Sequence, residues 1–125
     1  MRQEKFGVHL IFDGYNASEE LLSDKAHLRG LLFKLPKEMA MKTICEPVVV
    51  EVGPQNPKDE GGISGFVMIA ESHISYHTFP KKGFVTADIY TCQNNLDTDK
   101  FVKLLSNAFG TDDYDIQVVD RGLRF

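Results

Sequence analysis

Side chains that could carry out covalent chemistry are concentrated between Ala70 and Pro80. Within seven residues this segment holds a carboxylate, two hydroxyls and two imidazoles, from Glu71, Ser72, His73, Ser75 and His77. A hydroxyl beside an imidazole can attack a carbonyl carbon, because the imidazole takes up the proton that the hydroxyl loses. The alternative is a polar strand whose side chains only form hydrogen bonds at a sheet edge. Both interpretations are open, and Cys92 adds a thiol further along the chain.

A metal site is a third alternative for His73, His77 and Cys92, since imidazoles and thiolates bind zinc. Ile74 and Tyr76 favour a strand over a helix in this segment. In a strand the two histidines would lie about 13 Å apart, at ~3.3 Å per residue. One ion cannot bridge that distance, so we expect no metal.

The position of Ser72 in the segment limits how it could react. Successive side chains of a strand point to opposite faces, so Glu71, His73, Ser75 and His77 share one face and Ser72 points away. Ser72 can join them only if the backbone turns. Chemistry at Ser72 therefore predicts a distorted peptide at this point.

Composition restricts the class of protein. The chain has 125 residues, 42% hydrophobic and 26% charged, which is typical of one globular domain covering residues 1–125. A net charge of −4 argues against a nucleic-acid-binding surface, which needs clustered Lys and Arg. No apolar run approaches the roughly 20 residues that span a bilayer, and no apolar signal region follows residues 1–5. We expect a cytoplasmic protein that binds neither nucleic acid nor membranes.

The two cysteines differ in their surroundings. Cys45 follows Ile44 and precedes Pro47 and three valines, so it is expected to be a buried thiol of the core. Cys92 ends an alternating segment and could instead take part in chemistry. Their separation and the expected compartment both disfavour a disulfide.

Periodicity predicts the elements that must position these groups. Alternating or β-branched stretches predict strands at 7–13, 43–52, 64–70, in the polar segment itself, at 84–91 and at 114–119. Leucines at helical spacing predict a helix that begins after Asp24 and ends or kinks at Pro36. A second helix is predicted to start at Asp97 or Asp99 and to stop at Gly110.

The resulting order, β-α-β-β-β-β-α-β, predicts an α+β fold: a two-layer α/β sandwich with an antiparallel sheet and two helices on one face. The other face must meet water or another subunit. Phe66, Met68 and Phe84 make that face apolar as well, so a homodimer that stacks two sheets is expected.

A long irregular loop, 53–62, separates two of the predicted strands. Loops of this length in small domains are often functional. Its acidic pair, Asp59 and Glu60, could bind a cationic substrate or could simply be solvated surface.

Residues 71–80, ESHISYHTFP, followed by residues 88–92, DIYTC, closely resemble the prokaryotic S-adenosylmethionine decarboxylase proenzymes. Ser64-Gly65 and residues 7–10, GVHL, extend the resemblance over nearly the whole chain. It implies that the chain cuts itself between Glu71 and Ser72 into a β chain of residues 1–71 and an α chain of residues 72–125. It also implies that Ser72 becomes a pyruvoyl group, which makes a metal or pyridoxal phosphate unnecessary.

The same resemblance implies roles for individual residues. Ser64 and His77 would assist processing, with His77 as the base that removes the Ser72 α-proton. Cys92 would protonate the small-molecule substrate after carbon dioxide leaves. Family members are dimers with a site near the subunit interface, so partner residues are expected to complete the pocket.

The choice of substrate depends on other residues. S-adenosylmethionine is expected first, with Phe79 stacking on the adenine in place of the family's usual tryptophan. Relatives that decarboxylate L-ornithine or L-arginine are an alternative, because Asp59 and Glu60 would suit a distal cation. An unprocessed homologue that only binds a ligand or a paralogue is a further alternative.

Overall fold

The computed structural model describes residues 5–58 and 60–125. In these ranges the chain forms six strands and three α-helices. The strands are β1 Gly7–Tyr15, β2 Val48–Val52, β3 Gly62–Ile69, β4 Ser72–Phe79, β5 Phe84–Thr91 and β6 Asp113–Arg121. The helices are α1 Glu19–Leu22, α2 Lys25–Glu38 and α3 Thr98–Phe109, and a 3₁₀ turn, Pro80–Lys82, joins β4 to β5.

The strands form one sheet in the order β2-β3-β4-β5-β1-β6, and every neighbouring pair is antiparallel. The predicted α+β sandwich with an antiparallel sheet is confirmed. The chain-adjacent strands β2 to β5 are joined directly, whereas β1 inserts between β5 and β6. The polar segment forms β4, which is paired on both sides.

The core lies between the helices and one face of the sheet. Alternation along β4 places Ile74, Tyr76 and Thr78 in this core, each at most 2% exposed. His73, Ser75 and His77 lie on the opposite side, which we call the open face. Strand periodicity therefore directs the polar groups of the segment away from the core.

Helix α2 begins as predicted but does not end at Pro36. Asp24 caps it by accepting a hydrogen bond from His27 N, and its leucines are buried. The helix continues to Glu38, so the predicted end is wrong. Pro36 lies in the last turn, where a proline removes only one helical hydrogen bond. Met39 N still donates to Leu35 O at 3.0 Å.

Three further details differ from the sequence prediction. The four-residue α1 is absent from it, because so short a helix has no recognisable periodicity. Strand β2 begins only at Val48, after Pro47, and it lies at the edge of the sheet, where a proline is tolerated. Cys45 is exposed, so the expectation of a buried thiol is wrong. Its segment runs along the sheet edge, where neighbouring Ile44 is also 55% exposed.

None of the helices in the described ranges is long and apolar enough to cross a membrane.

Gly65 of β3 makes room for the ring of Tyr76 on β4, directly opposite. A Cβ added at Gly65 would lie 2.7 Å from that ring. The ring cannot easily move, because it is buried and its hydroxyl donates to Leu28 O of α2 at 2.6 Å. We expect Gly65→Ala to lower the free energy of unfolding in urea by about 1–3 kcal/mol.

The matched control is Gly53→Ala, since an added Cβ there meets nothing within 4 Å. We expect this variant to change stability by less than about 1 kcal/mol. Equal losses in the two variants would contradict the steric explanation.

Candidate functional site

The turn between β3 and β4 consists of Ala70 and Glu71, so that Ile69 pairs with Ser72. Glu71 has a φ of 63°, in the left-handed region. A residue with a side chain adopts this conformation at a cost of roughly 1–2 kcal/mol. The distortion expected near Ser72 is present, and it falls on the residue immediately before the Glu71–Ser72 peptide bond.

Cys92 follows the last residue of β5 and reaches the same turn. Its Sγ donates a hydrogen bond to Glu71 Oε2 at 3.4 Å. Burial raises the pKa of Cys92, and the hydrogen bond to the Glu71 carboxylate raises it further. The structure therefore brings together three predicted site residues, Glu71, Ser72 and Cys92, at one end of the sheet.

A second pair of predicted site residues meets further along β4. Ser64 of β3 is opposite His77 of β4, and Ser64 Oγ lies 2.7 Å from His77 Nδ1. Both side chains are on the open face. A hydroxyl and an imidazole in this contact can exchange a proton.

The group at the turn, which contains Ser72, and the Ser64–His77 pair do not meet within one chain. Ser72 and His77 are five residues apart on the extended strand β4, which corresponds to about 16 Å at ~3.3 Å per residue. The pairing of β3 with β4 agrees with this distance. Ser72 is opposite Ile69 and His77 is opposite Ser64, at two well-separated positions along β3. His77 is therefore too far from Ser72 to remove its α-proton in the same chain.

A hydrogen-bonded network centred on Asp88 of β5 lies between the two groups on the open face. Asp88 Oδ2 is 2.7 Å from His9 Nε2 and 3.5 Å from His73 Nε2, and Ser75 Oγ donates to Asp88 Oδ1. Of these residues, His73 and Ser75 belong to the polar segment that the sequence already indicated. His9 and Asp88 come from other strands and join them only in the folded sheet. In the sequence, His9 and Asp88 are polar residues of two alternating segments. Nothing in the sequence showed that these two segments pair as β1 and β5.

Arg121 of β6 determines which nitrogen of His9 carries a proton. Its Nη1 lies 3.0 Å from His9 Nδ1, and a guanidinium can only donate. His9 Nδ1 therefore accepts, and in the neutral ring the proton is on Nε2, which donates to Asp88. Nitrogen and oxygen atoms of His9, His73 and Asp88 lie within 4.8 Å of one another. However, the His9 nitrogen that faces Asp88 then has no lone pair for a metal ion, so the contacts describe a hydrogen-bonded network.

The open face is also apolar, as the sequence predicts. Val48, Val50, Phe66 and Met68 are each between 41% and 50% exposed. A cavity of about 370 Å³ opens among them, lined by Val48, Val50, Ser64, Gly65, Phe66, His73, Ser75 and His77. Contiguous apolar surface bordered by polar groups is typical of an interface or a ligand site.

Phe79, a predicted substrate contact, lies at the end of β4 remote from Ser72. Its ring stacks on Phe84 of β5, with centroids 5.6 Å apart and planes at 25°. Phe79 is on the same face as His77, two residues before it. Within one chain it is thus grouped with Ser64 and His77.

Glu60, the described member of the acidic pair, is not brought to Ser72 either. Glu60 Oε1 forms an ion pair with Lys82 Nζ at 3.2 Å, beside the 3₁₀ turn. Asp59 lies outside the described residues.

Comparisons with known proteins cover nearly the whole chain. Residues 8–122 match the family described as S-adenosylmethionine decarboxylase. The S-adenosylmethionine decarboxylase proenzyme of Archaeoglobus fulgidus is 34% identical over 116 residues, which are 93% of this chain and 97% of the relative. That of Pyrobaculum neutrophilum is 35% identical over 91 residues, 73% of this chain and 68% of the relative. The crystal structure of the adenosylmethionine decarboxylase from Aquifex aeolicus matches with a TM-score of 0.80 and 25% identity, over 98% of this chain and 96% of that one.

Proposed function

The chain belongs to the S-adenosylmethionine decarboxylase family, and we propose that it decarboxylates S-adenosylmethionine through a pyruvoyl group made from its own Ser72. The observation that carries the proposal is the strained Glu71 directly before Ser72, with the Cys92 thiol beside it. The product would be the aminopropyl donor for spermidine synthesis. We place the activity in the cytoplasm, where thiols such as Cys45 and Cys92 stay reduced.

The position of Ser72 suits a residue that becomes the start of a new chain. A cut between Glu71 and Ser72 opens only the two-residue turn. Strand β4 stays paired with β3 and β5, so the β chain of residues 1–71 and the α chain of residues 72–125 remain in one sheet. The pyruvoyl carbonyl would supply an acceptor for the electrons of the broken bond.

Glu71 and Cys92, the two residues in contact at the turn, have different roles in this proposal. The Glu71 carbonyl is the group that Ser72 Oγ attacks during processing. Cys92 then serves in turnover as the acid that gives a proton to the substrate carbon after carbon dioxide leaves. Its thiol at the end of β5, in contact with the turn, supports this role.

A second copy of the chain completes each site in this proposal. His77 lies about 16 Å along its own strand from Ser72, so the Ser64–His77 pair would come from the partner subunit. Stacking the open faces of two sheets would also cover Phe66 and Met68. The proposal requires a dimer in which the Ser64–His77 group of one subunit would lie beside Ser72 of the other.

S-adenosylmethionine is favoured over ornithine or arginine as the substrate. The relatives named above are decarboxylases of the adenosyl substrate. In addition, the Glu60 carboxylate is occupied by Lys82 and is less available to a substrate cation. Phe79, on the same face as His77, remains a candidate to stack on the adenine.

The test is release of carbon dioxide from carboxyl-labelled S-adenosylmethionine, ornithine and arginine, measured side by side with processed protein. We expect release from S-adenosylmethionine alone. Strong activity on an amino acid with none on the adenosyl substrate would overturn the assignment. Uncut protein that releases carbon dioxide from none of the three would support a non-catalytic homologue instead.

A further inference from the structure

Self-cleavage uses the backbone carbonyl of Glu71 and leaves its side chain without a function. That side chain nevertheless contacts the thiol proposed as the proton donor, with Cys92 Sγ donating to Glu71 Oε2 at 3.4 Å. The left-handed conformation of Glu71 is part of the turn that holds the two groups together.

We propose that the Glu71 carboxylate is a positioning residue that keeps Cys92 in its thiol form beside Ser72, ready to donate a proton and unable to act as a nucleophile. The inference rests on the proposed function, since it assigns a task to the thiol. It concerns the side chain of Glu71, which remains in the β chain after cleavage.

The chemistry requires such control. A proton donor must hold its proton at the working pH, and an ordinary thiol with a pKa of about 8.5 is about one quarter ionised at pH 8. The thiolate cannot donate a proton, and it is the form of cysteine that attacks carbonyl carbons. A neighbouring carboxylate disfavours a second negative charge, and together with burial it raises the pKa of Cys92.

The proton transfer itself is balanced without another reactant. The S–H bond of Cys92 breaks, a C–H bond forms at the substrate carbon, and the electron pair stays on sulfur. The thiolate then takes a proton from water. A carboxylate within hydrogen-bond distance favours this recovery before the next turnover.

Two cations of the neighbouring segments, Lys5 and Arg121, contact other groups, whereas Lys42 reaches the turn through its backbone oxygen, which accepts from Ala70 N at 3.0 Å. Lys5 Nζ of the segment before β1 pairs with Asp120 Oδ1 of β6 at 3.1 Å. Arg121 donates to His9 on β1 and lies over the Tyr90 ring. The charge that raises the pKa of Cys92, in addition to burial, is the Glu71 carboxylate.

The experiment measures thiol ionisation in uncut protein, so it does not depend on activity. In a Ser72→Ala background, the rate of alkylation by iodoacetamide is followed against pH, and the labelled peptides are quantified by mass spectrometry. Exposed Cys45 serves as an internal reference. With Glu71→Gln we expect the Cys92 midpoint to move to lower pH and its rate at pH 7.5 to rise severalfold, because more of the thiol is then ionised.

The control variant is Glu20→Gln, which removes an exposed carboxylate from α1 and should leave both rates unchanged. An unchanged Cys92 midpoint in Glu71→Gln would overturn the inference, as would an equal change at Cys45, which would indicate general loosening. Failure of the proposed function would look different: the unsubstituted chain would stay uncut or would release no carbon dioxide.

Discussion

Replacing Ser72 with alanine will leave one chain of 125 residues on a denaturing gel, whereas the unsubstituted protein will separate into fragments of residues 1–71 and 72–125. The variant will also release no carbon dioxide above background. Both effects follow from the loss of one oxygen atom, and intact-mass measurement checks the first of them.

The reason lies in the bonds that Ser72 must make and break. Its Oγ attacks the Glu71 carbonyl carbon, and the peptide C–N bond is exchanged for a C–O ester bond. Removal of the Ser72 α-proton then breaks the Cβ–O bond, which frees the Glu71 carboxylate and leaves a dehydroalanine. Hydrolysis of that group releases ammonia and yields the terminal carbonyl. Alanine has no Oγ, so the first bond cannot form.

A nearby hydroxyl provides the matched control. Ser75 lies on the same strand, and its Oγ donates to Asp88 and not toward the turn. We expect Ser75→Ala to be cut. An uncut Ser75→Ala protein would show that cleavage depends on the strand as a whole, and an uncut unsubstituted protein would contradict self-processing altogether.

The second large effect is the rescue of cleavage by mixing two inactive variants. Ser72→Ala lacks the nucleophile, and His77→Ala lacks the proposed base. Neither variant should be cut when it is expressed alone. When the two are expressed together with different tags, we expect the His77→Ala chain to be cut and the Ser72→Ala chain to stay intact.

The geometry of β4 is the cause of this asymmetry. Because Ser72 and His77 are about 16 Å apart on one strand, the intact Ser72 of the His77→Ala chain can only be served by the partner's His77. At equal expression and random pairing, about half of the His77→Ala copies would be in mixed dimers and could be cut. The measurement is a gel in which the tag identifies each fragment.

Two outcomes would count against a site shared between subunits. No cleavage of either chain in the mixture would mean that His77 acts only on its own Ser72. Cleavage of the His77→Ala chain expressed alone would mean that His77 is not needed. Size-exclusion chromatography of the mixture shows that mixed dimers have formed before the gel is interpreted.

Local patterns predicted most of the elements correctly. Alternating, apolar or β-branched stretches predicted the strands now seen as β1, β3, β4, β5 and β6, and Asp24 marked the start of α2. Local rules failed where a long-range contact decided the outcome. Cys45 has apolar neighbours in sequence, yet its segment lies at the sheet edge and is exposed.

Some features of the candidate site could likewise be predicted from local sequence, and others could not. The sequence by itself determined that Glu71, Ser72 and His77 belong to one strand-like polar segment, and that chemistry at Ser72 would require a turn of the backbone. These are properties of residue type and of two-residue alternation, which depend only on neighbours in the chain. The grouping of these residues with Cys92 in one reaction rests on the resemblance to the decarboxylase family.

Only the tertiary structure decided which groups meet. The insertion of β1 between β5 and β6 brings His9 to Asp88, and the turn between β3 and β4 brings the Glu71 side chain to Cys92. The straight course of β4 keeps His77 away from both. Strand order and register arise from the packing of the whole sheet against its helices, a sum of distant contacts that no local pattern contains.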